Sequence, residues 1–187
     1  MVPRALPEIN GEHPVVTTLI RRYVESDIDS ILEAVLESRH ELSQWMSWCH
    51  QNYNRDDAES WVNSRAKAWN DREEWGFVIV DERDRFLGTC GIHRIDLRNG
   101  LGEMGYWVRS SMTRQGIATA AAKAIAQWAF TEMELHRIEI LTSTANRASQ
   151  VVAERAGAVH EGTLRERLRV HERWHDAELF ALTSKQP

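Results

Sequence analysis

Cysteine is scarce in this chain of 187 residues: Cys49 and Cys90 are the only two. They form no disulfide framework and have no metal-ligand spacing, so both are expected as core or partly buried thiols. The eight histidines are scattered, with no His-Glu-x-x-His run and no His/Cys cluster. His171 and His175 stand four apart, but in a segment that reads as strand, so no metal site is expected. Proline is rare after the start: Pro3, Pro7 and Pro14 mark residues 1–14 as an arm with little regular structure. No long apolar run exists, so neither a signal peptide nor a membrane span is expected, and the chain is read as cytoplasmic with no membrane partner. A basic excess is also missing. The 23 basic and 28 acidic side chains leave a formal charge of -5, which argues against nucleic-acid binding through phosphate neutralisation and leans weakly toward a cationic substrate. Repeats and low-complexity segments are absent.

What remains is an ordinary globular composition, 42% hydrophobic and 27% charged, enough for one domain over residues 15–184. Val15 to Tyr23 is β-branched and reads as a first strand. Ser26 or Asp27 caps a helix through about Ser38, with Ile28, Ile31, Leu32, Val35 and Leu36 on its apolar face. A second helix over 55–70 carries Trp61, Val62, Ala66 and Trp69 at helical spacing. Three strands follow, Trp75 to Asp81, Phe86 to Asp96 and Leu101 to Val108, joined by the short turns Glu82-Arg-Asp-Arg85 and Arg98-Asn99-Gly100. A helix over 114–132 stacks Ile117, Ala121, Ala124, Ile125 and Trp128. Arg137 to Thr142 is a strand, 147–156 a helix stopped by Gly157, and 158–182 a pair of strands around Glu172-Arg173. The order β-α-α-β-β-β-α-β-α-β-β makes the middle strands antiparallel. The crossover through the 114–132 helix sets the next strand parallel to the one before it.

A ligand site is expected where those two strands diverge. Trp107-Val108-Arg109 ends a strand, a polar turn follows, and Gly116 with Ala118 opens the helix. Small residues let oxygens approach the backbone, and the first helical amides have no partner within the helix, so the turn suits an anion such as a pyrophosphate.

Three blocks carry a resemblance. The first is Gly102-Glu-Met-Gly-Tyr-Trp-Val108 with Arg114-Gln-Gly-Ile-Ala-Thr119. The second is Asn146-Arg-Ala-Ser149 with Val152-Ala-Glu-Arg-Ala-Gly157 and Glu161-Gly-Thr-Leu-Arg165. The third, looser, is Leu42-Ser-Gln-Trp-Met-Ser-Trp48. Together they resemble the GCN5-related N-acetyltransferase (GNAT) superfamily, in its RimJ/RimL-like branch of ribosomal-protein N-terminal acetyltransferases. The resemblance implies an α/β (α+β) GNAT fold: a mixed, mostly antiparallel central sheet of about six to seven strands with helices on both faces. It also implies acetyl-CoA as co-substrate. Backbone amides of Gln115, Gly116, Ile117, Ala118 and Thr119 would hold the pyrophosphate. Thr113 stands where the family usually has Gln or Arg, leaving Arg114 to supply charge. The free edge at Trp107, Val108 and Arg109 would pair with the pantetheine arm, and an amide at Val108 or Arg109 would polarise the thioester carbonyl.

By the same resemblance Asn146 caps its helix and bonds the pantetheine, and Ser149 faces the departing sulfur. Many relatives use a tyrosine on that helix. Here Tyr23, Tyr53 and Tyr106 all lie upstream, which leaves Ser149 as the available acid. Glu103 is the candidate base or, alternatively, an anchor for a cationic amine. Trp45, Trp48 and Trp107 are candidates to line an acceptor groove, whereas Trp61, Trp69 and Trp128 read as core. Glu161, Asp176 and the run Arg165-Glu-Arg-Leu-Arg169 read as a solvated edge, with acceptor contact as the other reading. That final hairpin also offers an edge for a homodimer. The acceptor implied is a protein N-terminal α-amine. A small amine, such as a polyamine or aminoglycoside-type antibiotic, and a non-catalytic acyl-CoA-binding module are the competing readings.

Overall fold

Strand runs separated by short turns pair in order along most of a seven-stranded sheet, and the helices cover both faces. The computed structural model describes residues 16–184; the arm expected over 1–14 lies outside the described residues. The elements are β1 (Leu19–Arg21), α1 (Ile28–Leu42), α2 (Arg55–Asn70), β2 (Glu74–Val80), β3 (Phe86–Asp96), β4 (Leu101–Val108), α3 (Ile117–Thr131), β5 (Arg137–Ser143), α4 (Arg147–Ala156), β6 (Val159–Val170) and β7 (Arg173–Thr183). The strand order is β1-β2-β3-β4-β5-β7-β6. Every neighbouring pair is antiparallel except β4 and β5, which the α3 crossover sets parallel.

Alternation along the strands sorts the core into two layers. Val78, Val80 and Phe86 meet Ile31, Val35 and Val62 of α1 and α2 on one face. Trp75, Phe77, Ile79 and Ile92 meet Ile125 and Trp128 of α3 and Ala153 of α4 on the other. In that second layer Phe77 meets Trp69 and Trp128 edge to face, Trp75 meets Trp128 the same way, and Trp69 and Trp128 are tilted at 42°.

Four local expectations are corrected. β1 is shorter than Val15 to Tyr23, because only Leu19, Ile20 and Arg21 find partners on β2. Arg21 then closes on the buried Asp27 through both guanidinium nitrogens, at 2.9 and 2.7 Å, and turns the chain into α1. α1 continues past Ser38 to Leu42, and its Leu36 is 44% exposed rather than core. Trp61 is 37% exposed, since its ring is covered by the Arg65 guanidinium 3.6 Å away instead of by the core. Ala66 is exposed, so α2 buries Ala58, Val62 and Ala68.

β3 and β4 approach so closely at one point that only glycine fits. A Cβ on Gly88 would lie 2.1 Å from the Trp107 carbonyl oxygen and 2.8 Å from Val108 Cα, both backbone atoms of the facing strand. Gly88→Ala is therefore expected to cost about 1–3 kcal/mol through a forced backbone shift. Urea denaturation reads this as a lower midpoint, and an unchanged midpoint would refute the close approach.

Candidate active site

The parallel pairing of β4 with β5 is short. It joins Leu101 to Arg137, Gly102 to Ile138 and Glu103 to Glu139, and then stops. β4 nevertheless runs on to Val108 beside β3, and β5 to Ser143 beside β7. The sheet thus opens between its two central strands. A cavity of about 820 Å³ occupies this opening, lined by Glu103 to Trp107 on one side and Ile140 to Ser143 on the other. The Arg109 amide donates to the Leu87 carbonyl at 2.9 Å. Strand alternation then turns the amides of Val108, Tyr106 and Met104 the opposite way, toward the opening. Of the two amides expected to polarise a carbonyl there, Val108 has the right direction and Arg109 does not. Thr142 on the facing edge has a buried Oγ1 with no hydrogen-bond partner among the described residues.

The turn leading into α3 has the form expected of an anion cradle. Arg114 and Gly116 both have positive φ, 63° and 79°. Nothing lies within 4 Å of where a Gly116 Cβ would be, so the space above it is open. Ile117 turns its side chain into the core, and the amides of Ile117, Ala118 and Thr119 are the unpaired first donors of the helix. Arg114 and Gln115 are exposed beside them. This turn is fastened to α1. Ser110 N donates to Ser38 Oγ at 2.8 Å, Ser111 N to Glu37 Oε1 at 2.8 Å, and Ser110 Oγ to Glu41 Oε2 at 3.0 Å. Arg109 spends its guanidinium on Glu37 and Glu33, so its side chain supports the turn rather than facing the opening.

Asn146 caps α4, its Oδ1 accepting from Ser149 N at 3.1 Å. The Ser149 hydroxyl is not alone. Tyr106 on β4 donates to the Ser149 carbonyl at 3.0 Å, and Ser149 Oγ donates to the Tyr106 hydroxyl at 3.2 Å. Burial pushes the Tyr106 phenol up to about 12, with the Ser149 bond pulling the other way. The exclusion of tyrosine from this helix's chemistry is thus corrected: Tyr106 is upstream in sequence but reaches α4 across the opening.

Glu103 points to the other face, beside His93 of β3. Its Oε1 lies 3.2 Å from His93 Nε2, its Oε2 accepts from Arg94 at 2.8 Å, and Arg167 of β6 stands 3.8 Å from the same Oε2. Burial raises the pKa of this carboxyl, but His93 and Arg94 outweigh burial and the net direction is downward. Trp45, Trp48 and Trp107 line the same cavity, as do Arg167, Arg169 and Trp174 of the last hairpin. Trp48 and Trp107 touch with centroids 6.1 Å apart. The Arg165–Arg169 run is therefore more than a solvated edge, since Arg167, Leu168 and Arg169 contribute to the cavity wall. Elsewhere in the hairpin, Asp176 braces the Glu166 amide at 2.8 Å and Glu161 pairs with Arg137.

The acetyltransferase (GNAT) domain family matches residues 18–159, and the chain belongs to that family. Among its relatives, YdaF of Bacillus subtilis (strain 168) is 26% identical over 172 residues, covering 89% of this chain and 91% of its own. The ribosomal-protein-serine acetyltransferase of Escherichia coli (strain K12) is 26% identical over 157 residues, covering 84% and 87%. The structure of Mycobacterium smegmatis RimJ in complex with CoA-disulfide superposes with a TM-score of 0.85 at 26% identity, over 97% of this chain and 88% of that one. The chain is an acetyltransferase of the GNAT type, and acetyl-CoA is the acyl donor of that family. The residues present fit this donor: free amides and open space at Gly116, an unpaired edge on β4, and the orphan hydroxyl of Thr142.

The fastening of the turn carries its own prediction. The Arg109 hydrogen bond and the Ser111 amide hold the Glu37 carboxyl down at about 2, against an ordinary value near 4.5. A depressed carboxyl stabilises the fold above its ordinary pKa, and that stability fades as pH falls from about 4.5 toward 2. Glu37→Gln is expected to flatten this part of the acid-unfolding curve and to raise the KM for acetyl-CoA severalfold with little change in kcat. An unaltered KM would mean that the α1 bonds do not position the turn.

Proposed function

We propose that the chain acetylates the N-terminal α-amine of a protein. The observation that carries this reading is the mouth of the cavity. It is flanked by Trp48 and Trp174, 37% and 60% exposed, and the cavity behind it is lined by Trp45 and Trp107 and by arginines as well as carboxylates. A polyamine calls for a deep acidic pocket, whereas a chain terminus needs a groove open at one end. The names of the YdaF and E. coli relatives agree with this reading.

Acetyl-CoA, held in the opening, supplies an activated acetyl thioester. An α-amine has a pKa near 8, so roughly a tenth is neutral at pH 7 and ready to attack without a strong base. Glu103 is a poor proton acceptor, because His93 and Arg94 keep it ionised. It therefore serves as an oriented acceptor for an amine N–H, and the proton released on C–N bond formation passes to water at the open mouth. Positioning supplies most of the rate. The Val108 amide faces the carbonyl oxygen and stabilises the charge that develops there. As the C–S bond breaks, the electron pair leaves on sulfur. Ser149 holds a proton at Oγ for it, Tyr106 can turn its own O–H from the Ser149 carbonyl to Oγ, both within hydrogen-bond reach, to replace the donated proton, and water takes the proton lost by the amine and returns one to the phenol. The amines come from the acceptor side and the thiol partners from the α4 side, so no covalent enzyme intermediate is required.

The test is turnover of acetyl-CoA against short N-terminal peptides, polyamines and aminoglycosides, with mass spectrometry of the products. Acetylated peptide termini are expected; acetylation confined to small amines would overturn the reading, and acetyl-CoA binding with no turnover would indicate a binding module. Ser149→Ala is expected to lower kcat about a hundredfold, the size typical of a lost general acid, with acetyl-CoA affinity retained. Tyr106→Phe should lower kcat less, and the double variant should be no slower than Ser149→Ala alone. Additive losses would show that Tyr106 does not act through Ser149.

A further inference from the structure

We infer that the preferred acceptor is a peptide terminus with an acidic side chain at its second or third residue, recognised by Arg167 together with Arg94. The inference rests on the α-amine reading above and deepens it.

Among the three arginines that line the cavity, Arg94, Arg167 and Arg169, one is in surplus, and the paired arginines elsewhere show what a carboxylate of its own looks like. Arg21 is held by Asp27 and Asp84, Arg109 by Glu33 and Glu37, Arg137 by Glu139 and Glu161, and Arg169 by Glu172. Arg167 has no such carboxylate of its own. Its ionic neighbour among the described residues is Glu103 at 3.8 Å, beyond hydrogen-bond distance, on an oxygen already bonded to Arg94. A guanidinium offers five N–H donors, so Arg94 and Arg167 together bring about ten donors to one carboxylate that His93 also contacts. The cavity's remaining carboxylates are engaged elsewhere: Glu74 pairs with Arg65 at 2.7 Å, while Asp57 accepts from the Asn54 amide at 2.9 Å. Both arginines are accessible, Arg94 with 57% and Arg167 with 40% of its side chain exposed, and both line the cavity.

The position suits the acceptor rather than the acyl donor. Glu103 pairs with His93 across β4 and β3 and shares their α1/α2 face with Trp107, whereas Tyr106 and Met104 alternate onto the face of α3 and α4. Arg167 closes on the Glu103 side. An excess of cations there disfavours a second ammonium and attracts an anion, although the whole chain carries -5. An extended peptide advances roughly 3.3–3.6 Å per residue. With the terminal amine beside Glu103, the second or third side chain therefore reaches the β6 wall. A carboxylate in that place can take the planar, two-pronged geometry that guanidinium favours.

The test uses the full chain, acetyl-CoA and a set of peptides identical except for Asp, Ala or Lys at position two or three, with Asp at position six as a remote control. The expected kcat/KM is about tenfold or more higher for the near-terminal Asp peptides than for the Lys peptides, with the ratio shrinking as salt rises. Arg167→Ala should collapse that ratio, Arg167→Lys should retain part of it, and Arg167→Glu should reverse it, each variant first checked for an unchanged thermal melt. Equal turnover of Asp and Lys peptides, or a preference that survives Arg167→Glu, would overturn the proposal while leaving α-amine acetylation intact. Turnover of polyamines with none of the peptides acetylated would overturn both.

Discussion

One short parallel ladder governs this molecule. β4 and β5 hold together over three residue pairs, ending at Glu103 and Glu139, and each then follows its antiparallel neighbour instead of the other. Backbone groups that a continuous sheet would consume are left at the centre of the fold rather than at an outer edge. An exposed strand edge invites pairing, and here the edge is reachable only through a cavity shaped by its own walls. The crossover helix α3 starts beside the opening, so the unpaired amides of a strand and of a helix N-terminus serve the same extended ligand. A continued ladder would remove the strand edge from this arrangement.

Charge on the surrounding elements is used to hold parts still rather than to create a general field. Glu33, Glu37, Ser38 and Glu41 on one side of α1 fasten the segment from Arg109 to Ser111, which delivers the chain to Gly116. Such contacts on exposed side chains contribute little stability singly, yet several on one short turn remove its freedom. Further along β4, His93 and Arg94 fix Glu103 in its ionised state. The positions flanking the opening are thus braced from separate helices and strands, and the Tyr106–Ser149 pair bridges the opening itself.

Much of this was readable from local pattern. The element order and the Asn146 cap of α4 follow from periodicity and from residues within one turn of each other, which is the range over which sequence reports structure directly, whereas α3, expected from 114, begins only at Ile117 because Arg114 and Gly116 take positive φ. Pairs joined only by the fold were out of reach. Tyr106 meets Ser149 across 43 positions, and Arg109 meets Glu37 across 72; no spacing rule links them. Tyr106 lies upstream of α4 in sequence, yet the parallel crossover returns β5 and α4 to the side of β4. Trp61 failed differently: helical spacing marks a face but cannot say whether an indole is covered by core or by the stem and guanidinium of Arg65. The approach of Arg167 to Glu103 likewise depends on β7 pairing β6 back onto the sheet, across 64 positions of sequence.

Because the opening passes through a sheet only one strand thick, the two faces are separated by the width of a backbone. A single molecule can therefore occupy both. A coenzyme A thiol joined to a peptide terminus by a link of acetyl length would touch the α3 turn at one end and the tryptophan-lined mouth at the other, gaining from both sets of contacts while losing freedom only once. Such a tethered inhibitor would need no flexible spacer, and stiffness in its short bridge would help rather than hinder.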